Sequence, residues 1–230
     1  MFDSRPTSRH PSRRFDAAVL AALGERVRPI STSRTQLLPV LAPLRGLFPE
    51  GGLRRGSTIG VSADRCGGGS TLALALMAAA SREGSWCVAV GLPDLGAVAA
   101  AELQLDLSRL AVVPWPDVQW GDTVAAAIEG IDVVLLYPPR IVRADMVHRL
   151  VARVRDRRAI LIVLTDQTGW PEGFDVELRV DTARWVAIGR GEDCLRERLA
   201  TVTAGGRRSA GRPRCQELWL PEASHAIAST

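Results

Sequence analysis

Two nearly unbroken apolar runs constrain the fold of this chain more than any other feature. Val133-Val134-Leu135-Leu136 and Ile160-Leu161-Ile162-Val163-Leu164 place apolar side chains at consecutive positions. A strand with one wet face alternates apolar and polar residues, so an unbroken run marks a strand covered on both faces. The runs belong to a longer alternation. Ser57–Ser62, Trp86–Gly91, Leu110–Pro114, Ile131–Tyr137 and Ala159–Thr165 read as strands. Thr71–Glu83, Asp94–Leu103, Trp120–Glu129 and Ile141–Arg157 read as helices between them, with Gly84 as a stop signal after the first. Strand and helix in strict alternation predict an α/β fold with a mostly parallel sheet and right-handed crossovers.

The ends depart from this pattern. After Gly169, the runs Val176–Val180, Arg184–Ile188, Leu199–Thr203 and Gln216–Leu220 are short and β-like, which predicts antiparallel strands added at one edge. Residues 1–14 are rich in Ser, Pro and Arg and are expected to form a flexible tail. Phe15, Val19, Leu20, Leu23 and Val27 mark one face of a helix over 15–28 that would dock on the body or on a partner. Pro29, Pro39, Pro43 and Pro49 predict an irregular segment up to residue 50. The expected organisation is thus a tail at 1–14, a helix and irregular segment at 15–50, a core at 51–220 and a loose tail at 221–230.

A chain of 230 residues can bury enough surface to need no metal or disulfide staple. The four cysteines (Cys66, Cys87, Cys194, Cys215) show no CxxC spacing and are expected as reduced thiols. No apolar run reaches the roughly 18 residues of a membrane span, and no apolar secretory segment follows the polar start, so the expected location is cytoplasmic. All 29 basic residues are arginine. Every mechanism that needs a lysine amine is thereby removed, including the lysine of a phosphate-binding loop. The net charge of +4 is uneven: residues 1–14 carry four Arg against one Asp, and residues 190–215 carry seven Arg against three acids. Basic ends on a mildly acidic body fit contact with nucleic acid, and equally fit solubilising tails.

The first strand is followed by Ala63-Asp64-Arg65-Cys66-Gly67-Gly68-Gly69-Ser70-Thr71 and a helix. This is the place and shape of a phosphate-binding loop, in which backbone N–H groups and a helix N-terminus surround a phosphate. Gly68 fits the second glycine of G-x-x-x-x-G-K-[ST], and Ser70 fits the hydroxyl that holds Mg²⁺. Ala63 stands where the first glycine belongs, and Gly69 where the lysine belongs. The strand Ile131–Leu136 runs into Tyr137-Pro138-Pro139 rather than into a metal-binding acid, and Asp132 is at its wrong end. The expectation is no catalysis and no resident cofactor. Gly67, Gly68, Gly69, Ser70 and Thr71 form a degenerate loop, with weak binding of ATP and Mg²⁺ left open.

Glu50-Gly51-Gly52-Leu53-Arg54-Arg55-Gly56-Ser57-Thr58-Ile59, the glycine-rich turn and Thr71-Leu72-Ala73-Leu74 together resemble the entrance of RecA-type ATPases. Leu103-Gln104-Leu105-Asp106-Leu107-Ser108-Arg109-Leu110 resembles a further segment of that core. The likeness is collinear from about 35 to 165 and weaker to about 220. It implies a RecA-like sheet in which Pro93 stands near the place of the catalytic glutamate, with Asp94 displaced by one, and in which the DNA-gripping loops are cut down. Gly in place of Lys, the Arg-rich composition and a C-terminal Gly/Arg segment most resemble the actinobacterial ImuA-prime group of SulA/RecA-like proteins. Membership would imply an accessory role in SOS-induced, error-prone translesion DNA synthesis. The implied partners are an ImuB-like inactive Y-family polymerase homologue and an error-prone replicative-type DNA polymerase. The alternatives are an NTP-dependent DNA-binding ATPase and a single-strand DNA-binding module.

Arg207, Arg208, Arg212 and Arg214 concentrate guanidinium groups on a Gly-rich stretch. They are candidate contacts to DNA phosphates or to an acidic partner, against the plain reading of a solvated hairpin loop. For Trp115, Trp120 and Trp170, packing at the rim of the sheet is favoured over base stacking. Trp86, Trp185 and Trp219 lie in predicted strands and are expected in the core. The three histidines are scattered and are assigned no metal or catalytic role. Asp166-Gln167 is read as a relic or a loop cap.

Overall fold

The computed structural model describes residues 36–63, 67–116, 119–165, 169–187, 195–207, 213–220 and 228–229. The tail at 1–14 and the helix expected at 15–28 lie outside these residues, as do Asp166-Gln167. Eleven strands are described: β1 (Leu37–Leu38), β2 (Leu53–Arg54), β3 (Thr58–Ala63), β4 (Cys87–Val90), β5 (Leu110–Val113), β6 (Val133–Leu136), β7 (Ile160–Thr165), β8 (Val176–Ala187), β9 (Leu195–Gly205), β10 (Arg214–Trp219) and β11 (Ala228–Ser229). The α-helices are α1 (Gly69–Arg82), α2 (Ala97–Glu102), α3 (Trp120–Gly130) and α4 (Ala144–Arg157). β1 pairs with β2, and the other nine strands form one sheet in the order β11-β10-β9-β8-β3-β7-β6-β4-β5.

The predicted α/β alternation is present. β3, β4, β5, β6 and β7 are mutually parallel where they pair. The run 176–180 corrects the expectation for the C-terminal strands. It pairs in parallel with β3, from Ile59 opposite Val176 to Ala63 opposite Val180, and so extends the parallel core. Antiparallel pairing begins only between β8 and β9 and continues through β10 and β11. The two runs read as separate strands at 176–180 and 184–188 belong to one strand with a register shift between Val180 and Thr182. The segment read as irregular contains β1 and a 3-10 helix at Ala42–Leu47, whose first turn carries Pro43, a position where the missing N–H costs nothing. Within the stretch read as a loose C-terminal tail, Ala228–Ser229 pairs with β10, with Trp219 opposite Ala228.

The unbroken apolar runs fill two separate layers. On one face, Val133, Leu135, Ile160 and Ile162 meet α1 and the 3-10 segment. On the other face, Val134, Leu136, Leu161 and Val163 meet α3 and α4. Alternate residues of one strand therefore serve opposite layers, which is why the runs cannot alternate with polar residues. α1 is buried nearly all round, and its Leu/Ala sequence keeps it slim enough to lie flat on the sheet. It ends as expected: Gly84 adopts φ +96° and its N–H reaches Ser81 O at 3.0 Å.

Two buried junctions fix the core strands. Asp175, at the entry to β8, accepts hydrogen bonds from Thr58 N–H at 3.0 Å and Thr58 Oγ1 at 3.2 Å. Beside it, a Cβ on Gly60 would stand 2.3 Å from the Phe174 ring, so only glycine lets the ring lie on β3. At the amino end of the sheet, Asp132 accepts from Arg55 Nη1 at 2.8 Å and from Trp86 N–H at 3.1 Å.

Candidate functional site

The glycine-rich turn leaves the carboxyl end of β3, where a parallel sheet presents its ligands. Gly67 (φ +69°) and Gly68 (φ +98°) are both left-handed, a conformation that side chains disfavour. α1 opens at Gly69, two residues earlier than predicted, and Gly68 O accepts the helical bond from Leu72 N–H at 2.9 Å. The N-cap residue of this helix is Gly68, which has no side chain to cap it. Gly69 is buried, Thr71 half-buried, and Ser70 exposed. Of the five residues of the predicted loop, Gly67 and Gly68 precede the helix, and Gly69, Ser70 and Thr71 form its first turn.

The occupant of the turn was not legible in the sequence. Arg198, on β9, is only 7% exposed, and its guanidinium lies on the two glycines. A Cβ at Gly68 would stand 2.8 Å from Arg198 Nη2 and 3.0 Å from Cζ, and a Cβ at Gly67 would stand 3.6 Å from Nη1. Residue 198 is remote from the turn in the chain, and no motif links them. Only the antiparallel layer brings them together.

The ends of neighbouring strands complete this edge. Tyr137 N–H donates to Val90 O at 2.9 Å, and Tyr137 leads into Pro138-Pro139, so a Tyr and two prolines follow β6. Gly91 (φ +81°) admits no side chain, because its Cβ would meet Tyr137 O at 2.4 Å. Pro93 and Asp94 are exposed in the loop after β4. Asp132 lies at the opposite edge in its bond to Arg55, away from the turn. Four of the five exposed large hydrophobic residues among those described, Val98, Trp115, Tyr137 and Ile141, follow β4, β5 or β6 on this carboxyl side.

Trp115 departs from the packing expected of it and is 74% exposed. Trp120 and Trp170 do pack on the core, and Trp170 stacks on Phe174 at 5.9 Å. Trp86 is partly buried on the same layer, with Arg109 over its ring. Of the predicted basic cluster, Arg208 and Arg212 lie outside the described residues. Arg207 donates its N–H to Phe174 O at 3.1 Å, and its Nη2 is 3.8 Å from Asp175 Oδ1, so it helps close the β8 junction. Arg214 opens β10 opposite Ala204, at the same hairpin end.

Titration behaviour follows burial and hydrogen bonding. Burial pushes the Cys87 thiol far above its ordinary value, with Asp132 and Asp106 adding to the rise. Cys215 is exposed, and both thiols are free. Hydrogen bonds from Thr203 Oγ1 and then Arg179 hold the Asp181 carboxyl below the usual range. His148 Nδ1 is 3.5 Å from Glu172 Oε1. No group of three or more metal-ligating side chains comes together among the described residues. None of the described helices is long and apolar enough to cross a membrane.

The family model of the MT3502 N-terminal domain matches residues 46–172, just over half of the chain, and the chain belongs to that family. The matched region runs from the end of the 3-10 segment to the loop before β8, and includes the glycine-rich turn but not Arg198. A curated relative, the uncharacterized protein Rv3395c of Mycobacterium tuberculosis (strain ATCC 25618 / H37Rv), is 37% identical over 97 residues. The match covers 42% of this chain and 48% of the relative, so the chain spans about half the length of the curated protein it matches.

Proposed function

We propose that this member of the MT3502 N-terminal domain family is a non-catalytic, RecA-like accessory protein of damage-induced, error-prone DNA synthesis. It acts through protein contacts, in the manner of the ImuA-prime group that its sequence resembles. Its partners are an ImuB-like inactive Y-family polymerase homologue and an error-prone replicative-type polymerase. The observation that carries the reading is the Arg198 guanidinium lying on Gly67 and Gly68, in a loop that has no lysine. Phosphoryl transfer needs cationic and metal groups aimed at the phosphates, and an acid to hold the metal. Here the strand end that would supply the acid carries Tyr137-Pro138-Pro139. Trp115, which is 74% exposed beyond the edge strand β5, supports a role in binding protein, since exposed Trp is a frequent anchor at interfaces.

The test is a pull-down with the tagged full chain from DNA-damaged host cells. Recovery of a Y-family homologue together with a replicative-type polymerase is expected. Their absence, with the bait soluble and folded, contradicts the reading.

A further inference from the structure

We propose that Arg198 is a built-in stopper, whose guanidinium shuts the glycine-rich turn to the phosphate groups of a nucleotide. The inference rests on the non-catalytic reading above and adds the means by which the turn is closed.

The geometry is one of filling rather than gripping. The head of Arg198 stands where a side chain on Gly68 would begin, 2.8 Å from that Cβ position, and the residue is 7% exposed. An arginine that grips a phosphate turns its planar fork toward the ligand. This one lies against two consecutive left-handed glycines. The turn and the start of α1 offer backbone N–H donors, and a guanidinium also offers only donors. A guanidinium cannot accept from those N–H groups, so it covers them without satisfying them.

That placement comes from β9. The Arg198 backbone is paired opposite Trp185 of β8, and its carbonyl accepts from Leu220 N–H at 2.8 Å. With strands engaged on both sides, the origin of the side chain is fixed. The antiparallel layer therefore sets the state of the turn, which the β3-turn-α1 segment does not do alone.

The experiment is calorimetric titration of the full chain with Mg·ATP, and separately with pyrophosphate, for the wild type, Arg198→Ala and Arg198→Met. The Met variant keeps a buried stem and removes the head, so it decides the matter if the Ala variant fails to fold. The expected result is a silent wild type and binding by the folded variants that is at least about tenfold tighter, a change of about 1.4 kcal/mol. Wild-type binding that weakens in both variants would overturn the inference by making Arg198 a ligand. Silence in all three proteins would also overturn it, since an opened turn would still reject phosphate, yet the non-catalytic reading would stand. Wild-type binding with turnover would overturn both.

Discussion

Replacing Asp175 by Ala removes a buried carboxylate that holds β8 to β3. Asp175 is 5% exposed and Thr58 is 1% exposed, so neither reaches bulk water. In the variant, the Thr58 N–H loses its 3.0 Å acceptor inside the sheet. An unsatisfied buried N–H costs about 1–3 kcal/mol. The 3.2 Å bond from Thr58 Oγ1 adds a net loss of about 0.5–1.5 kcal/mol. The Arg207 contact, at 3.8 Å and half-exposed, adds less than about 1 kcal/mol. Release from burying a carboxylate offsets part of the loss, leaving a destabilisation of about 2–4 kcal/mol. For a chain of this size that is a fall in Tm of about 4–16 °C. Urea unfolding followed by tryptophan fluorescence measures it, with an unchanged m value. Asp175→Asn keeps an acceptor in place and should recover about half of the loss. An Ala variant within about 0.5 kcal/mol of wild type, or an Asn variant as unstable as Ala, would refute the assignment of this junction.

Other consequences are as direct. Native-state alkylation with peptide mapping should label exposed Cys215 and leave Cys87 protected, because burial holds its thiol protonated; labelling of both at similar rates would contradict the placement of β4. Asp132→Ala strands the Arg55 side chain, which is 10% exposed, and should destabilise the fold by about 3–5 kcal/mol in urea unfolding; a loss under 1 kcal/mol would mean the pair does not hold the amino end together. The lowered Asp181 titration makes its contribution present above the ordinary unfolded value near 4 and lost as pH falls through the lower folded value. The stability of Asp181→Asn should therefore fall less steeply than that of wild type between about pH 5 and pH 2, and parallel curves would remove the group from the account.

What was legible in the sequence was local. Val133–Leu136 and Ile160–Leu164 could be read as doubly covered strands because each residue faces one of two apolar layers. Gly67 and Gly68 could be placed between a strand and a helix because glycine is favoured where the backbone turns left-handed. The misreadings have physical causes. β8 looked like two strands because the polar Asp181 and Thr182 interrupt the apolar pattern at the register shift. Its parallel pairing with β3 depends on Asp175 and Phe174 docking at Thr58 and Gly60, contacts between distant segments that no local period encodes. Trp115 follows the edge strand β5, where nothing among the described residues covers it, so a residue type that usually packs stands in solvent. Arg198 was one arginine among 29, and what carries its backbone to the turn is the pairing of β9 with β8, which no local pattern encodes.

Phosphate release from Mg·ATP by the full chain, with and without single-stranded DNA, tests the central claim most directly. A turn shut by Arg198 and lacking a lysine predicts no release above the buffer rate in either condition. DNA-stimulated turnover that Ser70→Ala abolishes would contradict the account.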